Sequence, residues 1–397
     1  MLKKSIIYIV VVYVLQVISI ALNILLIRNL SLENLGQVSL AKVYFQFMDY
    51  LHLGTRFTMD RYLPTSNIDD SKLILNFTLL LSLLTSFIFI VIIYIFMDAN
   101  WIIMMFMISG FVFAQGTIYK AYYRAKGKIK DMIYVVLLTT MLPLVVQLIA
   151  IIFYDFVTFL FSFFFSYVIS FLLLIYKFKL ITFISLSSFI LKFKELYKAS
   201  ALLFINSLTV FLSFSVDKIL VEHFKGVELL GEYSIILFVF ATLLIIPGSL
   251  AELVFPKIIK NVIASKKIIH FKETAFIFLP TLLSVIVANI LMDYFISTFT
   301  NYSYLLDYLH LITWSILPYA FISIMYHTLN ALDLRKAIVN INLISLFFFI
   351  TYLICVLYLS TDILQALVIG RILQGILLLS IYIIYTLNYT NTLKEDI

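Results

Sequence analysis

Residues 198–256 read KASALLFINSLTVFLSFSVDKILVEHFKGVELLGEYSIILFVFATLLIIPGSLAELVFP. Two long apolar runs, 201–222 and 231–256, enclose charges: Asp217 and Lys218 in the first, Glu252 in the second, beyond Pro247 and Gly248. Runs of this length and apolarity are membrane spans. A charge at the bilayer centre costs about 2.5–3.5 kcal/mol on insertion scales. Side chains that expensive should face one another, a neighbouring helix or a wet cavity rather than lipid.

The rest of the chain agrees. Of 397 residues, 63% are hydrophobic and 12% charged, more apolar surface than a soluble protein of this size can hide. The runs are continuous and do not alternate, which excludes a β-barrel. The expected fold is an all-α polytopic membrane protein. Twelve spans are expected, near 5–27, 36–55, 73–97, 101–119, 132–153, 156–176, 201–222, 231–256, 274–295, 304–329, 338–359 and 363–386. The basic start, followed by a long apolar run with no A-x-A site, reads as a retained first span. The lone cysteine, Cys355, offers neither an intrachain disulfide nor a thiol cluster.

The net charge of +7 is a topology signal and not a nucleic-acid footprint. With the N-terminus in the cytoplasm, of 28 Lys and Arg only Arg28 and Lys225 fall outside, and only Lys42, Lys218 and Arg371 within spans. All others collect on one side, as the positive-inside rule requires. Both termini are then cytoplasmic.

The longest piece between spans, KFKLITFISLSSFILKFKELYK, begins at Lys177 and is basic at both ends. It reads as a helix lying in the cytoplasmic interface and divides an N-lobe, 1–176, from a C-lobe, 201–397, with 177–200 as linker. An internal repeat supports that division. Leu32-Glu33-Asn34-Leu35-Gly36-Gln37-Val38-Ser39-Leu40 and Val227-Glu228-Leu229-Leu230-Gly231-Glu232-Tyr233-Ser234-Ile235 share one pattern, each before an even-numbered span. A weaker echo pairs Arg124-Ala125-Lys126-Gly127-Lys128 with Asn330-Ala331-Leu332-Asp333-Leu334. Six spans return each lobe to its starting side, so the lobes should be parallel repeats.

Polar residues gather on helix faces. Ser39, Lys42, Gln46, Asp49 and Arg56 follow helical spacing in span 2. Asn206, Thr209, Ser213 and Asp217 do so in span 7, with Lys218 at the edge; Gln16, Ser19 and Asn23 in span 1; Arg371 sits near Gln374, and Glu252 near Ser249. The Ser, Thr and Asn residues read as glue between helices, and Lys218 has Glu222 at i,i+4. The charges read as functional, because six left facing lipid would cost about 15 kcal/mol in sum; acids and bases are both present, so some pairing between spans 2, 7, 8 and 12 is expected. Arg28 and Arg56 sit at span ends, where snorkelling explains them as well as a role in a passage does. Pro143, Pro247, Pro280 and Pro318 mark bends. No GxxxxGK[ST] loop, HExxH or GxSxG occurs, so neither an enzyme nor a cofactor is expected.

Three stretches carry a family resemblance: YLHLGTRFTMDRYLP at 50–64, SVDKILVEHFKGVELLGEYSI at 215–235 and IIPGSLAELVFPKII at 245–259. They resemble the Wzx-type polysaccharide (O-antigen) flippases of the multidrug/oligosaccharidyl-lipid/polysaccharide exporter superfamily. The likeness in layout covers the whole chain; the motifs are loose. The resemblance implies two six-helix lobes around a central cavity, lined chiefly by the first two spans of each lobe. It implies flipping of an undecaprenyl-diphosphate-linked oligosaccharide from the cytoplasmic to the outer leaflet of a bacterial inner membrane, with other polysaccharide-assembly membrane proteins as partners. Lys42, Lys218 and Arg371, with Arg28 and Arg56, would then attract the diphosphate or acidic sugars. Asp49, Asp217 and Glu252 would set the cavity's state by binding a coupling H⁺ or Na⁺. Two alternatives stand beside this reading. One is a cation/drug antiporter of the same superfamily. The other is an integral-membrane polysaccharide polymerase, which the short, Arg-poor outer loops disfavour.

Overall fold

The computed structural model of the chain describes residues 2–96, 100–178, 186–265 and 270–395. Every regular element among them is helical. In chain order they are α1 (Leu2–Asn29), α2 (Leu32–Phe47) with a 3-10 turn at Met48–Tyr50, α3 (Thr55–Tyr62), α4 (Ile68–Phe96), α5 (Trp101–Ala125), α6 (Ile129–Val136), α7 (Leu142–Phe153) and α8 (Phe156–Phe178). Then come α9 (Leu186–Ser213), α10 (Val216–Lys225), α11 (Val227–Ser265), α12 (Phe271–Phe299), α13 (Leu306–Trp314), α14 (Leu317–Ala331), α15 (Arg335–Leu359) and α16 (Ile363–Glu395). Among the described residues ten helices are long and apolar enough to cross a membrane, and a bent pair, Ser200–Ser213 with Val216–Lys225, makes an eleventh. The remaining expected span is α2. Its 16 residues reach about 24 Å at 1.5 Å per residue, and the 3-10 turn lengthens it.

Large apolar side chains stay outside. Phe87, Phe96, Phe153, Leu279, Ile290 and Phe347 are all exposed, which suits acyl chains and not water. Trp101, Tyr94, Tyr176, Tyr294 and Tyr358 are exposed near helix ends, where aromatic belts form.

The chain divides into two compact units, Met1–Phe204 and Ile205–Ile397. Each has the same internal plan. In the first, α5 packs against α2, α4 and α8, α7 against α8, and α1 against α7. In the second, α14 packs against α11, α12 and α16, α15 against α16, and α10 against α15. The fourth span of each unit is thus its central pillar. The weak sequence echo has a backbone meaning as well. Gly127 at φ +66° and Asp333 at φ +58° both end the fourth span. Lys128 N–H closes on Tyr123 O at 2.8 Å, and Leu334 N–H on Leu329 O at 3.0 Å. Both are six-to-one caps closed by a left-handed residue.

Proline sets the breaks in two spans. Pro143 lacks an N–H, and the turn before it, Leu137–Met141, relaxes into a π-helix. Pro318 opens α14 just after the interruption that separates it from α13.

The expected linker is partly outside the described residues, which omit 179–185, as they omit Asp98, Lys266 and Lys267. Its described part is no separate surface helix. Leu186 onward belongs to α9 and runs unbroken into the seventh span. Leu196 is fully buried in the first unit's core together with Phe77.

Small residues let helices meet closely. A Cβ at Gly110 of α5 would fall 2.4 Å from the Phe45 carbonyl oxygen and 2.9 Å from its Cα on α2. Neither backbone atom can rotate away. Gly110→Val should therefore lower stability by about 1–3 kcal/mol, read as a lower unfolding midpoint in detergent. An unchanged midpoint would mean that α2 and α5 are not packed this tightly.

Candidate functional site

In the second unit the charge cluster forms around a broken helix. The α9 ladder stops at Ser213, and α10 departs at 40°. The break leaves the Ser213 carbonyl to side chains from α16. Arg371 Nη1 donates to it at 2.6 Å and Gln374 Nε2 at 3.4 Å. Arg371 Nη1 also donates to Gln374 Oε1 at 2.8 Å, and Nη2 pairs with the Asp217 carboxylate. Asp217 takes two further donors, Tyr233 O–H of α11 at 2.6 Å and Lys218 N–H at 3.0 Å. The guanidinium lies over the Phe349 ring at 4.7 Å, with Phe214 and Phe240 at 5.7 and 5.8 Å.

Asp217 and Arg371 are both 0% exposed. This corrects the expectation that both look onto water. They face each other, and the pair holds α10, α11 and α16 around the break in a dry, ring-lined pocket. Such a pair is satisfied and closed to solvent.

Lys218, the next residue, differs. Its side chain is half-buried and has no hydrogen-bond or ion-pair partner among the described residues. The i,i+4 pairing with Glu222 does not form, and Asp217 is committed to Arg371.

The first unit carries a second cluster. Lys42 of α2 donates to Asn23 Oδ1 of α1 at 3.0 Å. In the 3-10 turn that follows α2, Asp49 pairs with Arg56 at 2.6 Å. Arg56 also donates to Thr117 Oγ1 of α5 at 2.6 Å, and Thr117 donates to Asp49. Both charges keep some exposure, 17% for Arg56 and 19% for Asp49. Helical spacing put Arg56 on the face of span 2, and the structure corrects that. Leu53 at φ +48° and Gly54 at φ +86° are consecutive left-handed residues. Here His52 Nδ1 accepts from Gly54 N–H at 2.9 Å. This turn ends the helix and brings Arg56 back to Asp49 from the start of α3. A Cβ at Gly54 would lie 2.7 Å from Phe204 Cβ, so the turn also needs glycine for space.

Arg28, at the end of α1, and Glu252, on α11, are exposed and join neither cluster. Two participants escaped sequence reasoning. Thr117 gave no signal. Tyr233 gave one: it occupies the place in the repeat where the first copy has Val38, a polar group added where Arg371 and Asp217 meet.

No protein-family model matches the sequence, and no curated protein matches it. Solved structures do. A multidrug-resistance MATE-family transporter of the MOP superfamily in its inward-facing conformation matches at TM-score 0.70 and 11% identity, over 96% of each chain. A multidrug-resistance MATE-family transporter of the MOP superfamily in an outward-facing conformation matches at 0.63 and 14%, over 96% of this chain and 92% of that one. The lipid II flippase MurJ, in an inward closed conformation, matches at 0.66 and 13%, over 96% of this chain and 87% of the other. The chain has the fold of the MOP-superfamily transporters.

Proposed function

We propose that the protein is a flippase that moves an undecaprenyl-diphosphate-linked oligosaccharide from the inner to the outer leaflet of a bacterial plasma membrane by alternating access. The fold supports a transporter and includes a lipid-linked-substrate flippase among its relatives in shape. The observation that favours an anionic cargo is Lys218. It is a half-buried cation in a broken span, and its neighbouring acid is already neutralised by Arg371. A binding path for cationic drugs needs carboxylates to spare. In this protein Asp49 and Asp217 are each held by an arginine. Lys42, Arg56 and Lys218 are the groups proposed to meet the diphosphate or acidic sugars, and Glu252, which no arginine holds among the described residues, to serve the coupling ion.

A cell lacking the gene tests this reading. Loss of long-chain surface glycan, with unchanged resistance to cationic dyes, is the expected phenotype. Intact glycan with new dye sensitivity would instead assign the protein to drug/cation antiport; a multidrug-resistance transporter of the MATE family shares its fold.

A further inference from the structure

A different group of side chains surrounds α13. The turn and helix from Ser303 to Trp314 reach three neighbours through three carboxylates. Tyr304 O–H donates to Glu232 Oε1 of α11 at 2.6 Å, and Tyr308 O–H to Asp362 Oδ2, just before α16, at 3.0 Å. His310 Nε2 lies 2.9 Å from Asp293 Oδ1 of α12. These are the helices against which α13 packs. The two tyrosine contacts need no charge. The histidine contact does, as the hydrogen bonds around it show.

His310 Nδ1 lies 2.6 Å from Asn289 Oδ1, one turn before Asp293 on α12. The orientation of the Asn289 amide is fixed by its other partners. Its nitrogen donates to the Val285 carbonyl at 2.9 Å and to Thr313 Oγ1 at 2.7 Å. The Thr313 hydroxyl spends its own proton on the His310 carbonyl at 2.8 Å, so at Asn289 it can only accept. Asn289 therefore presents its oxygen to the ring, and Nδ1 must donate. That leaves Nε2 against Asp293, a group that when ionised only accepts. A neutral ring would set a lone pair against the carboxylate. One further proton is needed between them.

We propose that His310 and Asp293 form a proton-binding site in the second unit, in which an imidazolium bridges Asn289 and Asp293 and fastens α13 to α12. Asp293 is 67% and the His310 side chain 32% exposed, so water can deliver and remove the proton. The other acids at this end are Asp307 on α13, Glu228 and Glu232 on α11, and Asp362 before α16. Glu232 and Asp362 already accept from tyrosines. Charge asymmetry assigns this end to the exterior. A role for the site in coupling transport to protons rests on the transporter reading; the site itself does not.

The test uses the full-length protein with ¹⁵N-labelled histidine in lipid nanodiscs at neutral pH, the His310 signals being assigned by their loss in His310→Gln. Two protonated ring nitrogens are expected in the wild type. Asp293→Asn should leave one protonated and one bare nitrogen, and Asp293→Glu should restore both. One bare nitrogen in the wild type, or a doubly protonated ring that Asp293→Asn leaves unchanged, would overturn the proposal. Neither result depends on what the protein transports.

Discussion

Arg371→Met should destabilise the protein by about 3–5 kcal/mol, the usual loss when one partner of a buried ion pair is removed. Asp217 would keep its charge with only Tyr233 O–H and the Lys218 N–H to satisfy it, and the Ser213 carbonyl would lose its 2.6 Å donor. The double variant Arg371→Met with Asp217→Asn should recover much of the loss, because it removes the stranded charge along with its partner. Unfolding midpoints in detergent, with yields of monodisperse protein, read both variants. Transport by the single variant should fall only as far as folded protein falls. If Arg371→Met were as stable as the wild type but inactive, Arg371 would face substrate and the dry pair would not exist in the working protein.

Lys218→Gln should do the reverse. Lys218 is half-buried and has no hydrogen-bond or ion-pair partner among the described residues, so removing its charge relieves desolvation, and stability should hold or rise. Transport should fall about ten- to a hundredfold, since a charge-assisted contact to phosphate is worth about 1.5–3 kcal/mol. Lys218→Arg should keep part of the activity. The two variants should thus separate adjacent residues, Asp217 as one that holds the fold and Lys218 as the one proposed to meet cargo. Full transport by Lys218→Gln at normal expression would remove Lys218 from the passage.

The membrane class and the spans were legible because the apolar runs are long and the basic residues asymmetric, signals that need no tertiary information. The repeat was legible for a backbone reason, as Gly127 and Asp333 occupy matching left-handed caps. That charges in spans 2, 7, 8 and 12 should pair was legible too; which residues pair was not. Helical spacing put Asp217 on a polar face and Arg371 near Gln374, but it could not bring α16 across to α10. Solvation cost alone does not distinguish a wet passage from a closed ion pair, since both remove a charge from lipid. Arg56 was misplaced for a local reason: spacing arguments assume one continuous helix, and the Leu53–Gly54 turn ends it. Glu252 and Arg28 remained apart: both are exposed, and neither forms an ion pair among the described residues.

A diphosphate-linked glycan is proposed to cross the membrane through this protein. Purified protein in proteoliposomes loaded with polyprenyl-diphosphate-linked oligosaccharide tests it, with glycan on the far leaflet detected by a membrane-impermeant lectin. Wild-type protein should deliver glycan to the far leaflet well above protein-free vesicles, and Lys218→Gln should slow that delivery at equal reconstitution. No delivery by the wild type, together with exchange of a cationic dye for H⁺ or Na⁺ in the same vesicles, would contradict it.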